Sequence, residues 1–332
     1  MLFYQKMQRG KRMKRKLAMA MSQSNVGLSQ PKRRRIKENI ELYLIMLPVL
    51  VHIFIFSYIP MYGIVIAFQD YYPGSPFLAF DGSTKWVGFK HFINFFSSPY
   101  FARLFKNTFV LSFYYFIFGF WIPILFALLI NELKNGFFKK FVQTASYLPY
   151  FIANVVVAGM VLSFINVDGI FNIVLKFFGK TPMPLNTNPQ YFPAIYTITS
   201  IWKSFGWNSI LYLSSITSID PSLYEAARMD GADRFKQMWH ITLPSIQPTI
   251  FILLIFAIGG LLNANTEFIL LVYNPAIYET ADVIGTYVYR EGLMAGNFSS
   301  GTAIGIFTSL INFGLLYIAN TISRKVSDYA LW

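Results

Sequence analysis

The sequence predicts an all-α membrane protein with six transmembrane helices and both termini in the cytoplasm. Three observations predict it: the composition, the spacing of charged residues and the places where basic residues gather. Of 332 residues, 55% are hydrophobic and only 13% charged, about half the charge of an ordinary soluble domain. With a mean hydropathy of +0.46 the chain is too apolar to keep a soluble surface, which excludes a soluble enzyme and a disordered protein. Zero cysteines exclude a disulfide scaffold, a thiolate zinc site and an iron-sulfur cluster.

A helix needs roughly 20 mainly apolar residues to cross about 30 Å of hydrocarbon. Residues 42 to 69, 107 to 131, 141 to 167 and 292 to 323 contain no Asp, Glu, Lys or Arg. Two further runs are broken once each, 181 to 219 by Lys203 and 237 to 278 by Glu267. Trimmed at Pro, Gly and polar flanks, the expected spans are 42 to 67, 105 to 130, 141 to 166, 192 to 216, 249 to 273 and 301 to 323. Helices are expected because an open strand in lipid leaves backbone groups unpaired, and the alternation of a membrane barrel is missing. The first apolar run is too long for a secretory signal core and reads as an anchor.

Between the spans, residues 69 to 104 read as a loop with an interfacial helix, on Tyr71-Tyr72-Pro73-Gly74 and Trp86-Val87-Gly88-Phe89. Residues 178 to 193 hold four prolines and read as loop. Segments 1 to 41, 131 to 140, 217 to 248 and 324 to 332 carry 20 Lys and Arg against 7 on the opposite side, which places them inside. Twelve of these lie in the tail 1 to 41, a topology signal attracted to anionic lipid rather than to nucleic acid. Residues 42 to 332 form the membrane domain, with 217 to 248 as its one long cytoplasmic loop.

That loop contains Asp220-Pro221-Ser222-Leu223-Tyr224-Glu225-Ala226-Ala227-Arg228-Met229-Asp230-Gly231-Ala232-Asp233, then Ile241-Thr242-Leu243-Pro244. Asp220 reads as an N-cap, Pro221 as the first helical residue and Gly231 as the stop, with a second short helix from Asp233. Two short helices with small alanines make a knob suited to a cleft in another protein. The loop resembles the Glu-Ala-Ala motif of the permease subunits of binding-protein-dependent ABC importers. That motif runs Glu-Ala-Ala, three residues, Gly, nine residues, then Ile-x-Leu-Pro. Glu225, Ala226, Ala227, Gly231, Ile241, Leu243 and Pro244 match every fixed position.

The resemblance extends over about 40 to 332. Tyr273 to Ile284, Thr286 to Arg290 and the ending Leu331-Trp332 are similar to the carbohydrate group of these permeases, nearest the branch labelled LplB-like and associated with complex oligosaccharides. The resemblance implies a six-helix type I importer core of the MetI-like kind in a bacterial inner membrane. It implies as partners a second permease, two cytoplasmic ATPase subunits that use ATP with magnesium, and an external sugar-binding protein. It also implies that the helix with Glu225 to Gly231, including Asp230, docks in the ATPase. This chain itself is expected to bind no cofactor.

Polar groups inside spans are costly and usually face a bundle interior or a water-filled path. In the fifth span Asn263, Asn265 and Glu267 lie together, and a continuous helix would put Asn263 and Glu267 on one face. Two readings stay open: lining a sugar-binding cavity, or hydrogen-bonded glue between helices. The carbohydrate group often has an aromatic residue before this Glu and Gln after it, where this chain has Thr266 and Phe268. In the fourth span Trp202, Lys203, Trp207, Asn208 and Tyr212 offer two rows, Lys203 with Trp207 and Asn208 with Tyr212. They line the path, or the aromatics face lipid while Lys203 snorkels. His52 reads as a packing residue.

No Gly-rich phosphate loop, His-Glu-x-x-His pattern or membrane His pair with a carboxylate is present, so ATP hydrolysis falls to a partner. The sequence reading is therefore an oligosaccharide importer permease. An importer for a peptide, amino acid or other polar solute is the alternative, and a membrane-embedded enzyme or sensor is a third, disfavoured reading.

Overall fold

The computed structural model describes residues 40–76, 84–327 and 329–332, so the basic tail to residue 39 lies outside the described residues. Every element among them is helical, apart from one isolated bridge between Gln69 and Trp86. The chain divides between Gly63 and Ile64 into two units. In the first, α1 (Ile40–Ile53) runs on through a π-turn at Phe54–Tyr58, with His52 beside Phe56 at 4.7 Å between ring centroids.

The second unit begins within a 3₁₀ helix (Tyr62–Phe68), which is followed by the short α2 (Lys90–Phe96) and the long α3 (Phe101–Glu132). α4 (Phe137–Tyr147), α5 (Asn154–Ile165) and α6 (Ile170–Phe177) follow, and then α7 (Phe192–Thr217). The loop helices are α8 (Pro221–Met229) and α9 (Arg234–Gln237). α10 (Gln247–Gly259), α11 (Thr266–Val272) and α12 (Phe298–Val326) complete the unit.

α3 shows which solvent these helices are built for. It buries Asn107, Thr108 and Ser112 and exposes Phe113, Phe118, Trp121, Leu125 and Leu129. A helix in water does the reverse; in lipid the polar groups go inward to find partners and the large apolar ones meet acyl chains. α3 and α7 form the most extensive helix pair. Phe120, Ile124 and Leu128 of α3 meet Tyr212 and Ile216 of α7, with Ile246 and Ile250 at the start of α10. A second cluster joins Leu111, Val157, Phe192, Tyr196, Phe268 and Ile269.

Among the described residues, Leu42–Phe68, Phe101–Glu132, Asn154–Phe177 and Phe298–Val326 are long and apolar enough to cross a membrane. Arg234–Ser245 with Gln247–Gly259 makes a fifth if that pair, bent by 60°, is counted as one. α7 has the length, about 39 Å at 1.5 Å per residue, but too many Ser, Thr and Asn residues to join them.

Two expected spans are corrected. Residues 141 to 166 are not one helix, because Ile152 and Ala153 are extended (ψ 129° and 144°) after a 3₁₀ turn at Leu148–Phe151 that contains Pro149. The apolar stretch continues instead through α5 and α6, so Ile170–Phe177, which lay outside the expected spans, is helix. A run without charge measures cost in lipid, not continuity of backbone.

Residues 249 to 273 are likewise interrupted. α10 stops at Gly259 with Gly260 as its C-cap, and 260–265 are not helical. Asn312 of α12 accepts from the Leu262 amide at 3.1 Å, and the Tyr196 hydroxyl accepts from the Asn265 amide at 2.8 Å. Non-helical backbone at membrane depth persists where protein groups satisfy it in this way.

Candidate functional site

The break at 260–265 and the break at 152–153 open onto one cavity. It holds about 420 Å³ and is lined by Tyr115, Tyr150, Asn154, Tyr196, Lys203, Asn263 and Asn265, with Ser200 and Ser204. Asn265 caps α11, its side chain accepting from the Phe268 amide at 3.2 Å. Asn263 accepts from Asn312 Nδ2 at 2.9 Å. The expected shared face of Asn263 and Glu267 is therefore wrong, since Asn263 lies in the break and not on the helix that carries Glu267.

What joins Glu267 to the site is Asn154, which the sequence reading missed. Lys203 Nζ donates to Asn154 Oδ1, and Asn154 Nδ2 donates to Glu267 Oε2. Asn154 opens α5, Lys203 sits within α7 and Glu267 stands in the first turn of α11, so one amide ties three helices.

The remaining residues of the fourth span divide. Trp207 stacks flat on Tyr150, with ring centroids 4.7 Å apart and planes 5° apart, and supports the cavity wall from behind. Asn208 and Tyr212 line an adjoining cleft of about 320 Å³ that shares Tyr115, Tyr196 and Asn263 with the cavity. Trp202 points elsewhere, into an apolar groove with Val157, Met160, Phe164 and Ile198, and is removed from the cavity lining. Its periodicity put it on the same helix but one face away.

The loop 217–248 is built as the local rules dictate. The Asp220 side chain accepts from the Ser222 amide at 2.9 Å and Pro221 takes the first helical position. Those hydrogen bonds from Ser222 hold the Asp220 carboxyl below its ordinary pKa. At the other end Gly231 has φ 77°, with Ala232 N–H bonded to Ala227 O at 2.9 Å and Gly231 N–H to Arg228 O at 3.1 Å. This pair of bonds is a Schellman turn, which needs a left-handed residue at the position of Gly231.

Asp233 then caps α9 through the Lys236 amide at 2.7 Å. The Tyr224 hydroxyl meets Thr242 Oγ1 at 2.9 Å, which locks α8 against the π-helical turn Met238–Thr242. Leu243 packs against the α3–α7 cluster, Ile241 is half-buried, and Pro244 starts the last turn before α10. Glu225, Ala226, Asp230 and Gly231 are exposed and Ala227 half-buried. Beside them Leu223, Met229, Phe235 and Trp239 are also exposed, an apolar addition to the knob that motif spacing does not report.

At the opposite end of α3 a buried ionic cluster fixes 279–290. Asp282 is fully buried and accepts from Arg103 Nη2 at 3.1 Å, from Arg290 Nη1 and Nη2 at 3.2 Å and from Thr286 Oγ1 at 2.8 Å. Asn107 donates to the Glu279 and Asp282 carbonyls at 2.9 Å. Asp282→Asn leaves two guanidinium groups facing each other. Both arginines are about one third exposed, so the expected cost is at the lower end of about 3–5 kcal/mol. A clear drop in the melting temperature of the purified complex is expected, and an unchanged value would show the cluster to be dispensable.

The comparisons agree with this architecture. Residues 119–328 match the family described as "Binding-protein-dependent transport system inner membrane component". The polygalacturonan/rhamnogalacturonan transport system permease protein YteP of Bacillus subtilis (strain 168) is 44% identical over 292 residues, 88% of this chain and 90% of that one. Protein LplB of the same organism is 39% identical over 88% of this chain and 91% of its own. A chain of a bacterial alginate ABC transporter, crystallised with an alginate pentasaccharide-bound periplasmic protein, superposes with a TM-score of 0.80. It is 41% identical, over 90% of this chain and 99% of that chain. With the Glu-Ala-Ala motif intact and the family match covering residues 119–328, the chain belongs to the binding-protein-dependent transport system inner membrane components and is an ABC transporter permease subunit, with ATP hydrolysed on separate subunits.

Proposed function

We propose that this chain carries an oligosaccharide inward across a bacterial inner membrane by alternating access, with acidic saccharides of the polygalacturonan, rhamnogalacturonan or alginate kind as the favoured cargo class. The observation that carries the proposal is the cavity at the two helix breaks. It sets amide and hydroxyl groups of Asn154, Asn263, Asn265, Ser200 and Ser204 beside the tyrosines 115, 150 and 196. Sugars present hydroxyl edges to such donors and acceptors and apolar ring faces to such aromatics. The relatives supply the cargo class: YteP is named for polygalacturonan and rhamnogalacturonan, and the superposed transporter for the acidic polysaccharide alginate.

The path would run through the cavity and the adjoining cleft with Asn208 and Tyr212. In the six-span reading α7 crosses inside the bundle, covered by α3, and the bent pair before Gly260 begins the fifth crossing. The exposed knob around Glu225 to Gly231, with Ile241, Leu243 and Pro244 anchoring it, would dock on an ATPase subunit. A second permease and an external sugar-binding protein complete the proposed assembly, the latter supported by the periplasmic protein bound to the alginate transporter.

Two experiments test the reading. Purified complex in vesicles should show ATPase activity stimulated by binding protein loaded with oligogalacturonate, and no response to any oligosaccharide would reject the cargo class. For orientation, cysteines replace Met229, which is 88% exposed, and Glu279, also exposed, in the cysteine-free chain. An impermeant maleimide applied to intact cells should label position 279 and spare 229. The reverse pattern would overturn the topology.

A further inference from the structure

The Lys203–Asn154–Glu267 chain carries a meaning that hydrogen-bonding glue does not exhaust. Lys203 is a half-buried cation in a cavity at membrane depth, and among the described residues no carboxylate lies within ion-pair distance of its Nζ. Its acceptor is the neutral oxygen of Asn154, whose NH₂ group faces Glu267. An ammonium bonded to a carboxylate gains the attraction of two full charges on top of the hydrogen bond that a neutral carbonyl also accepts, and reduced solvent screening inside a cavity enlarges that gain. Lys203 is therefore paired with the weaker of the two partner types it could have.

We infer that Lys203 reads the carboxylate of a uronate residue in the cargo, and that Asn154 occupies its place until cargo arrives. This rests on the oligosaccharide reading above and assigns a specificity residue within it. When a cargo carboxylate takes Lys203 Nζ, Asn154 Oδ1 is released and the tie between α7 and the α5–α11 pair opens, while Asn154 keeps Glu267. A neutral sugar offers only hydroxyl and carbonyl oxygens, no better than the amide already there, and leaves the tie closed. Glu267 stays on the far side of Asn154, which keeps its charge away from the incoming carboxylate. The aromatic pair Tyr150–Trp207, fixed one helical turn beyond Lys203, gives the sugar ring a wall to stack on.

The test uses the full complex in vesicles and two probes of equal length: trigalacturonate and its fully methyl-esterified, uncharged form. The readout is the concentration of each that half-stimulates ATPase activity. Wild type should favour the acid by about tenfold or more, the worth of one stronger charge-assisted bond. Lys203→Gln should abolish that preference while still responding to the ester, and Lys203→Arg, which keeps the charge, should retain most of it. The melting temperatures of the three complexes show whether each variant is folded. A preference for the acid that survives in a folded Lys203→Gln complex overturns the inference and leaves the proposed function standing. Equal weakening toward both probes in Lys203→Gln overturns it as well, since it makes Lys203 a structural group. Failure of wild type to respond to either probe removes both the inference and the cargo reading.

Discussion

Gly231→Val leaves the chain in the membrane and strips ATPase subunits from it. The residue holds φ 77° in the turn that ends α8, a conformation that valine, branched at Cβ, is least able to adopt. A Cβ there meets nothing within 4 Å, so the expected effect comes from backbone strain and not from a clash at Cβ. A left-handed conformation costs an L-residue about 1–2 kcal/mol, and the turn relieves it by breaking the Ala232-to-Ala227 bond and swinging Asp230 and Ala232 away. A docking surface that must pay this amount in each bound state loses about 5- to 30-fold in occupancy. ATPase retained on the tagged permease should fall by that factor and uptake with it, while membrane-fraction yield is unchanged. Normal retention would show that the knob does not dock. Aspartate at 231 is a milder test, because Asp tolerates this region better.

Gly206→Leu prevents the bundle from closing. A Cβ at this position of α7 would lie 2.1 Å from the Ser146 carbonyl oxygen and 2.5 Å from its carbon, so even alanine forces the backbones of α7 and α4 apart. No rotamer change relieves a contact with main chain. Overpacking by a few methyl groups costs about 1–3 kcal/mol, and leucine should exceed that range. The expected result is little or no recoverable complex for Gly206→Leu and a melting temperature several degrees lower for Gly206→Ala. A wild-type melting curve for Gly206→Ala would mean that the helices stand farther apart than described.

The fold of the loop 217–248 was legible almost residue by residue. Asp220, Pro221, Gly231 and Asp233 act within three to five positions of themselves, and local chemistry is what sequence records. The cavity was half legible. Lys203, Asn263, Asn265 and Glu267 stand out as polar groups in apolar runs. Asn154 lies at the centre of the charge-free run 141 to 167, but it is one neutral amide there, and its two partners are 49 and 113 positions away. The helix breaks were hidden for a related reason. Pro149 and the Gly259-Gly260 pair are ordinary in membrane helices, and whether they interrupt one depends on distant acceptors such as Tyr196 and Asn312. Asp282 is a third case: Arg103 reaches it across 179 positions.

The polarity of α7 sets the order in which the molecule must be made. A helix of 26 residues with Lys203 near its middle partitions poorly into bare lipid as it leaves the ribosome. Its hydrogen-bond partners lie partly behind it in the chain, on α3 and α5, and partly ahead, at Thr249 of α10 and at the Asn265 amide that caps α11. In the six-span reading α7 would first meet α3, where its Ser204 reaches Tyr115 at 2.9 Å, and the later helices would close around it as they emerge. In that reading integration of this helix would be a cooperative act of assembly, and nascent chains ending just past residue 217 would hold it without the protein shell that its polar groups need.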